Sequence, residues 1–317
     1  MNNFQIARFR LTLKVLEEVN FPPYKGSVFR GGFGYAFKKV ACTQKETTCN
    51  ACLLKSTCVY SYVFETPPPK DSQMLRLYPR VPHPFIIEPP LEERQIYTQG
   101  AEIIFHLVLI GKAIDYLPYF VYAFIELGRM GIGLGRGRYE LANVGRGLDI
   151  KGQFLLIYTN ENKTILANPP VIKFTLDPVS SESFSEVQTL RFLTPARMRY
   201  KGSLTDELPF HVLMRTLLRR VSSLSYFHCG ERIYWDFKSL IERAESVETL
   251  SSDLRWLDWE RYSTRQGQKM KLGGVMGNIT YRFSTKMLTG LLPLIKLGQH
   301  IHVGKGTSFG LGWYEVA

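Results

Sequence analysis

The stretch Gly131-Ile132-Gly133-Leu134-Gly135-Arg136-Gly137-Arg138-Tyr139-Glu140-Leu141 returns 175 positions later as Gly306-Thr307-Ser308-Phe309-Gly310-Leu311-Gly312-Trp313-Tyr314-Glu315-Val316. In both, glycines at the first, fifth and seventh positions lead into Tyr-Glu and an aliphatic residue. A second pair keeps almost the same register: Tyr24-Lys25-Gly26-Ser27 and Tyr200-Lys201-Gly202-Ser203 lie 176 positions apart. Two separate matches in the same order point to one domain written twice.

Each copy reads by the same local rules. Ala7–Leu13 alternates apolar and polar residues, as a strand with one buried face does, and Val187–Thr194 is its counterpart. Phe29, Phe33, Ala36, Phe37 and Val40 recur at helical spacing; Leu213, Leu217, Val221 and Leu224 do the same in the second copy. An apolar strand at Ile103–Ile110 precedes a helix near Ala113–Leu127, with Gly128 placed to cap it. Ile279–Phe283 precedes Lys286–Leu297, with Gly298 in the capping place. With one more strand at Phe85–Glu88, the order is strand, helix, strand, strand, helix, strand. The expected fold class is therefore α+β: tandem ferredoxin-like (RRM-like) βαββαβ domains. The first covers 1–148 and carries a cysteine-rich insertion at 42–58. A hairpin and linker fill 149–186, and the second domain covers 187–317 with its glycine-rich loop at 304–312.

Composition narrows the function. The 317 residues carry 40 Lys+Arg against 28 Asp+Glu, a net charge of +12, with 45% hydrophobic residues, which excludes a disordered chain. The longest apolar stretches, Ile103–Ile110 and Met287–Leu297, fall short of the ~20 residues that span a bilayer. Nothing at Met1-Asn2-Asn3-Phe4-Gln5 resembles a secretion signal, so a cytoplasmic protein is expected, with no membrane partner. The surplus positive charge then favours a polyanionic partner, nucleic acid first.

The glycine loops suit that partner. Glycine permits positive φ and close approach of the backbone, so the loop N–H groups can face phosphate oxygens. Arg136 and Arg138 sit in the first loop, and Lys305, Thr307 and Ser308 in the second. Each loop leaves a helix and enters a strand, the reverse of a dinucleotide fingerprint. The plainer alternative is that the glycines only turn the chain and pack closely.

These residues also carry a family resemblance. Gly304-Lys305-Gly306-Thr307-Ser308-Phe309-Gly310-Leu311-Gly312-Trp313-Tyr314 resembles the glycine-rich loop of the RAMP superfamily of CRISPR-associated proteins, and more narrowly that of the endoribonuclease that processes CRISPR precursor RNA. Phe192–Arg197, Leu217–Leu224, the run from Trp256 through Arg265-Gln266 to Gly277, and Arg30–Phe37 agree with that family. The resemblance implies two ferredoxin-like domains and a metal-independent endoribonuclease. Such an enzyme binds CRISPR repeat RNA, cleaves by attack of the 2′-hydroxyl and leaves a 2′,3′-cyclic phosphate on its guide RNAs. Other CRISPR effector subunits are further expected partners. The alternative is a non-catalytic RAMP subunit that carries guide RNA in an effector complex. A third reading is a zinc-site structural protein that binds nucleic acid without sequence preference.

Cleavage without metal needs a base for the 2′-hydroxyl, an acid for the leaving 5′-oxygen and a cation for the phosphorane. The family often places a histidine near its first helix, but this chain has none between Asn2 and Pro82. Tyr24, Lys25 and Arg30 are the nearest substitutes there, and His302, just before the second glycine loop, is the other catalytic candidate. Arg136, Arg138, Arg215, Arg219, Arg261, Arg265, Lys271 and Lys305, with Thr307 and Ser308, form the expected RNA-binding set. Trp256 and Trp259 fit a core stripe or a stacking surface, with core as the expectation.

Four of the five cysteines, Cys42-x6-Cys49-x2-Cys52-x5-Cys58, fall within seventeen residues. In a reducing compartment they suit a metal rather than disulfides. Structural zinc is the expected ligand; an iron–sulfur cluster and unligated or redox thiols are the alternatives. No cofactor is expected in catalysis.

Overall fold

The computed structural model describes residues 4–44, 47–66, 68, 72, 81–147, 153–166, 172–174, 185–263 and 268–317. It divides into two compact units. The first is Asn3–Lys173 with Ser223–Glu231; the second holds Phe174–Ser222 and Arg232–Ala317.

In the first unit β1 (Phe4–Val15) is followed by α1 (Gly26–Ala41), β2 (Phe85–Glu88), β3 (Glu102–Ile110), α2 (Leu117–Met130), β4 (Tyr139–Gly147) and β5 (Phe154–Thr159). The strands lie in the order β2-β3-β1-β4-β5, every neighbour antiparallel. Phe9, Leu11 and Leu13 of β1 are buried while Arg10 and Lys14 are exposed, as its alternation requires. The α1 stripe Phe29, Phe33, Ala36 and Phe37 is buried. Phe33 stacks on Phe124 of α2 with ring centroids 4.6 Å apart.

The second unit runs β6 (Val187–Ala196), α3 (Phe210–His228), α4 (Phe237–Glu245), β7 (Glu248–Leu257), β8 (Gly274–Arg282), α5 (Thr285–Ile301) and β9 (Tyr314–Val316), with the last turns of α3 counting with the first unit. Its sheet order is β7-β8-β6-β9, again antiparallel throughout. Numbering the four core strands within each unit gives 2-3-1-4 both times. The structure is thus mixed α+β, with the same order on the two sheets.

The sequence expectations meet three differences. Neither Gly128 nor Gly298 caps its helix: α2 runs to Met130 and α5 to Ile301. These glycines serve close packing instead, because a Cβ at Gly128 would strike the carbonyl of Tyr139 and one at Gly298 the hydroxyl of Tyr314. Both tyrosines are buried and donate into the helix they cross, Tyr139 to Phe124 O at 2.9 Å and Tyr314 to Ile295 O at 2.7 Å. The repeated Tyr-Lys-Gly-Ser folds two ways. Lys25 keeps right-handed φ and sits at the N-cap of α1, whereas Lys201 and Gly202 take φ of 47° and 90° in a hairpin turn between Met198–Tyr200 and Ser203–Thr205. Trp256 is not core: it lies on β7 at the sheet edge, 40% exposed, with its indole N–H on Asp258. Much of the expected hairpin and linker lies outside the described residues; within it, Phe154–Thr159 and Ile172–Phe174 are strands.

Candidate functional site

The glycine-rich loop of the second unit begins where α5 ends. His302 takes φ 59°, and Gly304, Gly306, Gly310 and Gly312 all take positive φ, so only glycine avoids strain at those four turns. The loop is tied to the end of β6. Lys305 N donates to Arg197 O at 2.8 Å, Gly312 N to Pro195 O at 3.0 Å, and the Thr194 hydroxyl to Gly310 O at 2.7 Å. A Cβ at Gly304 would press on the Arg197 backbone at 2.5 Å, so the loop approaches that strand as closely as two backbones can.

That closeness gathers charge. The ammonium of Lys305 is lowered from its ordinary pKa, first by burial and then by repulsion from Arg199, Arg197 and Arg219 in that order. Arg197 is also lowered, by burial, with Asp258 acting the other way, and its Nε and Nη1 are buried with no hydrogen-bond partner. Three guanidinium groups that act together on the Lys305 ammonium make a site for an anion, and phosphate supplies oxygens at the reach of a guanidinium. Arg197 and Arg199 are absent from the sequence-derived set. Their signal was the i, i+2 pair after Thr194-Pro195-Ala196, which gains meaning only once the loop folds against it.

The other expected binding residues fall into three groups. Lys305 and Arg219 belong to the cluster just described and both are exposed. Arg215 and Arg138 are exposed but ion-paired, with Glu245 and Glu17 respectively; Arg136 is exposed in the first glycine loop at φ 56°. Thr307 and Ser308 are buried within the loop. Arg265 and the side chains of Arg261 and Lys271 lie outside what is described; the backbones of Arg261 and Lys271 pair with Met270 and Glu260 in a short ladder.

Of the catalytic candidates, His302 is wholly buried. Its Nδ1 lies 3.3 Å from Leu311 O and its ring stacks on Trp313 at 5.6 Å. Beside it Arg220, buried, donates its Nε to Ile301 O at 2.8 Å and so satisfies a carbonyl at the end of α5; burial lowers its pKa to about 9. Tyr24 and Lys25 precede α1 and Arg30 lies within its second turn, each side chain with partners of its own. Lys25 is buried with its Nζ on Glu92 O, and desolvation lowers its pKa against the pull of the Glu92 charge. Burial pushes the Tyr24 phenol well up. The Arg30 guanidinium lies over Phe64 at 4.5 Å and Phe85 at 5.4 Å.

The four clustered cysteines are free thiols of intermediate exposure. Burial raises Cys49 first, then Glu65, and the charges of Cys42 and Cys58 are also felt there. Among the described residues no three His, Cys, Asp or Glu side chains stand close enough to hold an ion in this conformation. No helix among those residues is long and apolar enough to cross a membrane.

Comparison with known proteins adds to this geometry. Residues 4–170 match the family model AF_1859_N, an N-terminal domain, and residues 190–314 match that of the CRISPR-associated endoribonuclease Cas6. An uncharacterized protein of Archaeoglobus fulgidus is 26% identical over 316 residues, covering 99% of this chain and 98% of its own. Among solved structures, a Cas6 product complex (TTHB231) is 18% identical with a TM-score of 0.58, covering 98% of this chain and all of that one. A second Cas6 product complex (TTHA0078) is 15% identical with a TM-score of 0.52, covering 99% of each. At such identities the likeness to these structures is one of fold.

Proposed function

Because this chain belongs to the Cas6 family of CRISPR-associated endoribonucleases, we propose that it binds the repeat of CRISPR precursor RNA and cuts it by attack of a 2′-hydroxyl on the adjacent phosphate. The step needs no metal and leaves a 2′,3′-cyclic phosphate. In this reading the two sheets are tandem ferredoxin-like domains, the first carrying the cysteine-rich insertion. The observation that carries it is the cluster of Lys305, Arg197, Arg199 and Arg219 where the glycine loop meets the end of β6. Cations there hold backbone phosphates and fix the register of the RNA.

A Lys ammonium of lowered pKa, such as Lys25, gives up its proton more readily than an ordinary lysine. It is thus the best suited of the candidates to move the proton of the 2′-hydroxyl or the leaving oxygen. Arg30, on the same helix, carries fixed positive charge over Phe64 and Phe85.

Incubating the protein with its own repeat RNA, intact or with one 2′-deoxy nucleotide on the 5′ side of the scissile phosphate, tests the reading. The deoxy strand is expected to bind equally and stay whole. Equal cutting of both strands contradicts 2′-hydroxyl attack.

One observation favours the second reading, a RAMP subunit that carries RNA uncut. His302 is buried against Leu311 and Trp313, and Lys25 is 1% exposed, so neither offers a ready face to RNA. Tight binding with both strands left intact is the outcome that reading requires.

A further inference from the structure

The segment from Cys42 to Cys58 lacks a core of its own. Among its described residues none is buried, and the least exposed are Cys42, Cys49, Cys52, Cys58 and Lys55. Leu53 is 99% exposed and Leu54 44%. A loop folded by the hydrophobic effect would turn its leucines in and leave smaller, more polar groups outside. This loop does the reverse: its leucines are exposed, and its half-buried side chains are the four cysteines and Lys55.

The ends of the segment are already fixed. Cys42 closes α1, its N–H on Lys38 O at 2.9 Å. Cys58 N donates to Leu54 O at 2.9 Å, and Cys58 O accepts from Tyr62 N at 3.0 Å as the chain enters the short helix Ser61–Glu65. Between them a run of turns, Ala51 N to Thr48 O and Lys55 N to Cys52 O, brackets Cys49 and Cys52. The sulfurs are not yet at ligand spacing, and with no packed interior the loop has little to lose by closing.

We propose that this loop is a structural zinc site, with Cys42, Cys49, Cys52 and Cys58 as four thiolate ligands of one tetrahedral ion. On binding, each thiol loses its proton to solvent and four S–Zn bonds form, giving a centre of net charge −2. Lys38 and Lys55 stand on the same stretch of chain to offset that charge, whereas Lys39 is paired with Glu126. The ion has no open position, so it orders the loop between α1 and the following helix and takes no part in cutting RNA. The site stands apart from the proposed RNA chemistry, and its failure would leave that proposal untouched.

The test is metal analysis of the full chain, purified without an affinity tag, together with cobalt titration of the metal-free protein. About one zinc per chain is expected, with stoichiometric cobalt binding that gives the visible bands of a tetrahedral tetrathiolate complex. The Cys49→Ser/Cys52→Ser variant should lose at least about tenfold in bound zinc, whereas Cys229→Ser keeps it. Absence of both zinc and cobalt binding in the wild-type chain overturns the proposal, as does zinc retained by the double variant. Iron with acid-labile sulfide in place of zinc overturns it too, in favour of a cluster. The cobalt titration uses only the wild-type chain, so a variant that fails to fold leaves the proposal testable.

Discussion

The backbone N–H of Lys305 donates to the carbonyl of Arg197 at 2.8 Å. With the bonds of Gly312 and Thr194 it joins the glycine-rich loop to the end of the first strand of its sheet, where the side chains of both residues share one field of positive charge with Arg199 and Arg219. Removal of either side chain should weaken RNA binding uniformly across sequences, since phosphate contacts carry no base information. For Arg197→Ala and Lys305→Ala alike, the slope of log affinity against log salt should shrink by about 0.7 on single-stranded RNA. Filter binding across a salt series measures it, and unchanged slopes would remove these residues from the interface.

Gly135 and Gly312 separate backbone strain from crowding. Both have positive φ, 76° and 72°, but a Cβ at Gly135 meets open space while one at Gly312 would collide with the Val303 carbonyl. Gly135→Ala should cost about 1–2 kcal/mol from the left-handed backbone alone. Gly312→Ala should cost about 3–5 kcal/mol, because strain and overpacking combine. Equal melting temperatures for the two variants would contradict the loop geometry.

Much of this loop was legible in the sequence, and the reasons it was not wholly so are physical. The repeat of glycines before Tyr139 and Tyr314 agrees with two sheets of the same strand order, since a left-handed backbone leaves a mark at the residue that adopts it. The buried stripes Phe29, Phe33, Phe37 and Leu213, Leu217, Val221 followed from helical period. Gly128 and Gly298 misled as caps because a packing glycine and a capping glycine look alike until the tyrosine that covers them is placed. Arg197 and Arg199 escaped because their role comes from a loop more than a hundred residues away in sequence. His302 looked like a site residue by its position, but burial against Leu311 and Trp313 is a property of tertiary packing.

Arg146 is a stability liability. It is fully buried on β4 opposite Phe9, none of its three guanidinium nitrogens has a hydrogen-bond partner, and desolvation lowers its pKa to about 10. Its guanidinium lies over the Phe9 ring, 5.6 Å away. Replacing an unpaired buried charge by an apolar side chain of similar length should stabilise the fold, so Arg146→Met is expected to gain about 1–4 kcal/mol. Thermal melts measure it; a loss of stability would mean that the guanidinium is compensated.

His106 predicts a pH dependence. Burial first, then Arg8 and Arg10, lower its pKa to about 4 against the opposite pull of Glu88, whose Oε2 lies 3.8 Å from Nδ1. The neutral ring is the form the fold favours. Its contribution is therefore complete above the ordinary histidine value of 6.5 and is lost as pH falls from there toward 4. The loss should amount to about 3 kcal/mol at most. Melting temperatures at pH 7 and pH 5 should differ less in His106→Gln than in the wild-type chain, and an equal difference in both would place the titration elsewhere.

The central claim, cleavage of repeat RNA by its own 2′-hydroxyl without metal, is tested most directly by a single-turnover reaction of the full chain with its repeat RNA in EDTA, with both product ends identified by mass spectrometry. The account predicts one cut, a 2′,3′-cyclic phosphate on the upstream product and a 5′-hydroxyl on the downstream one. RNA that is bound but uncut, or a product ending in a 5′-phosphate, would contradict it.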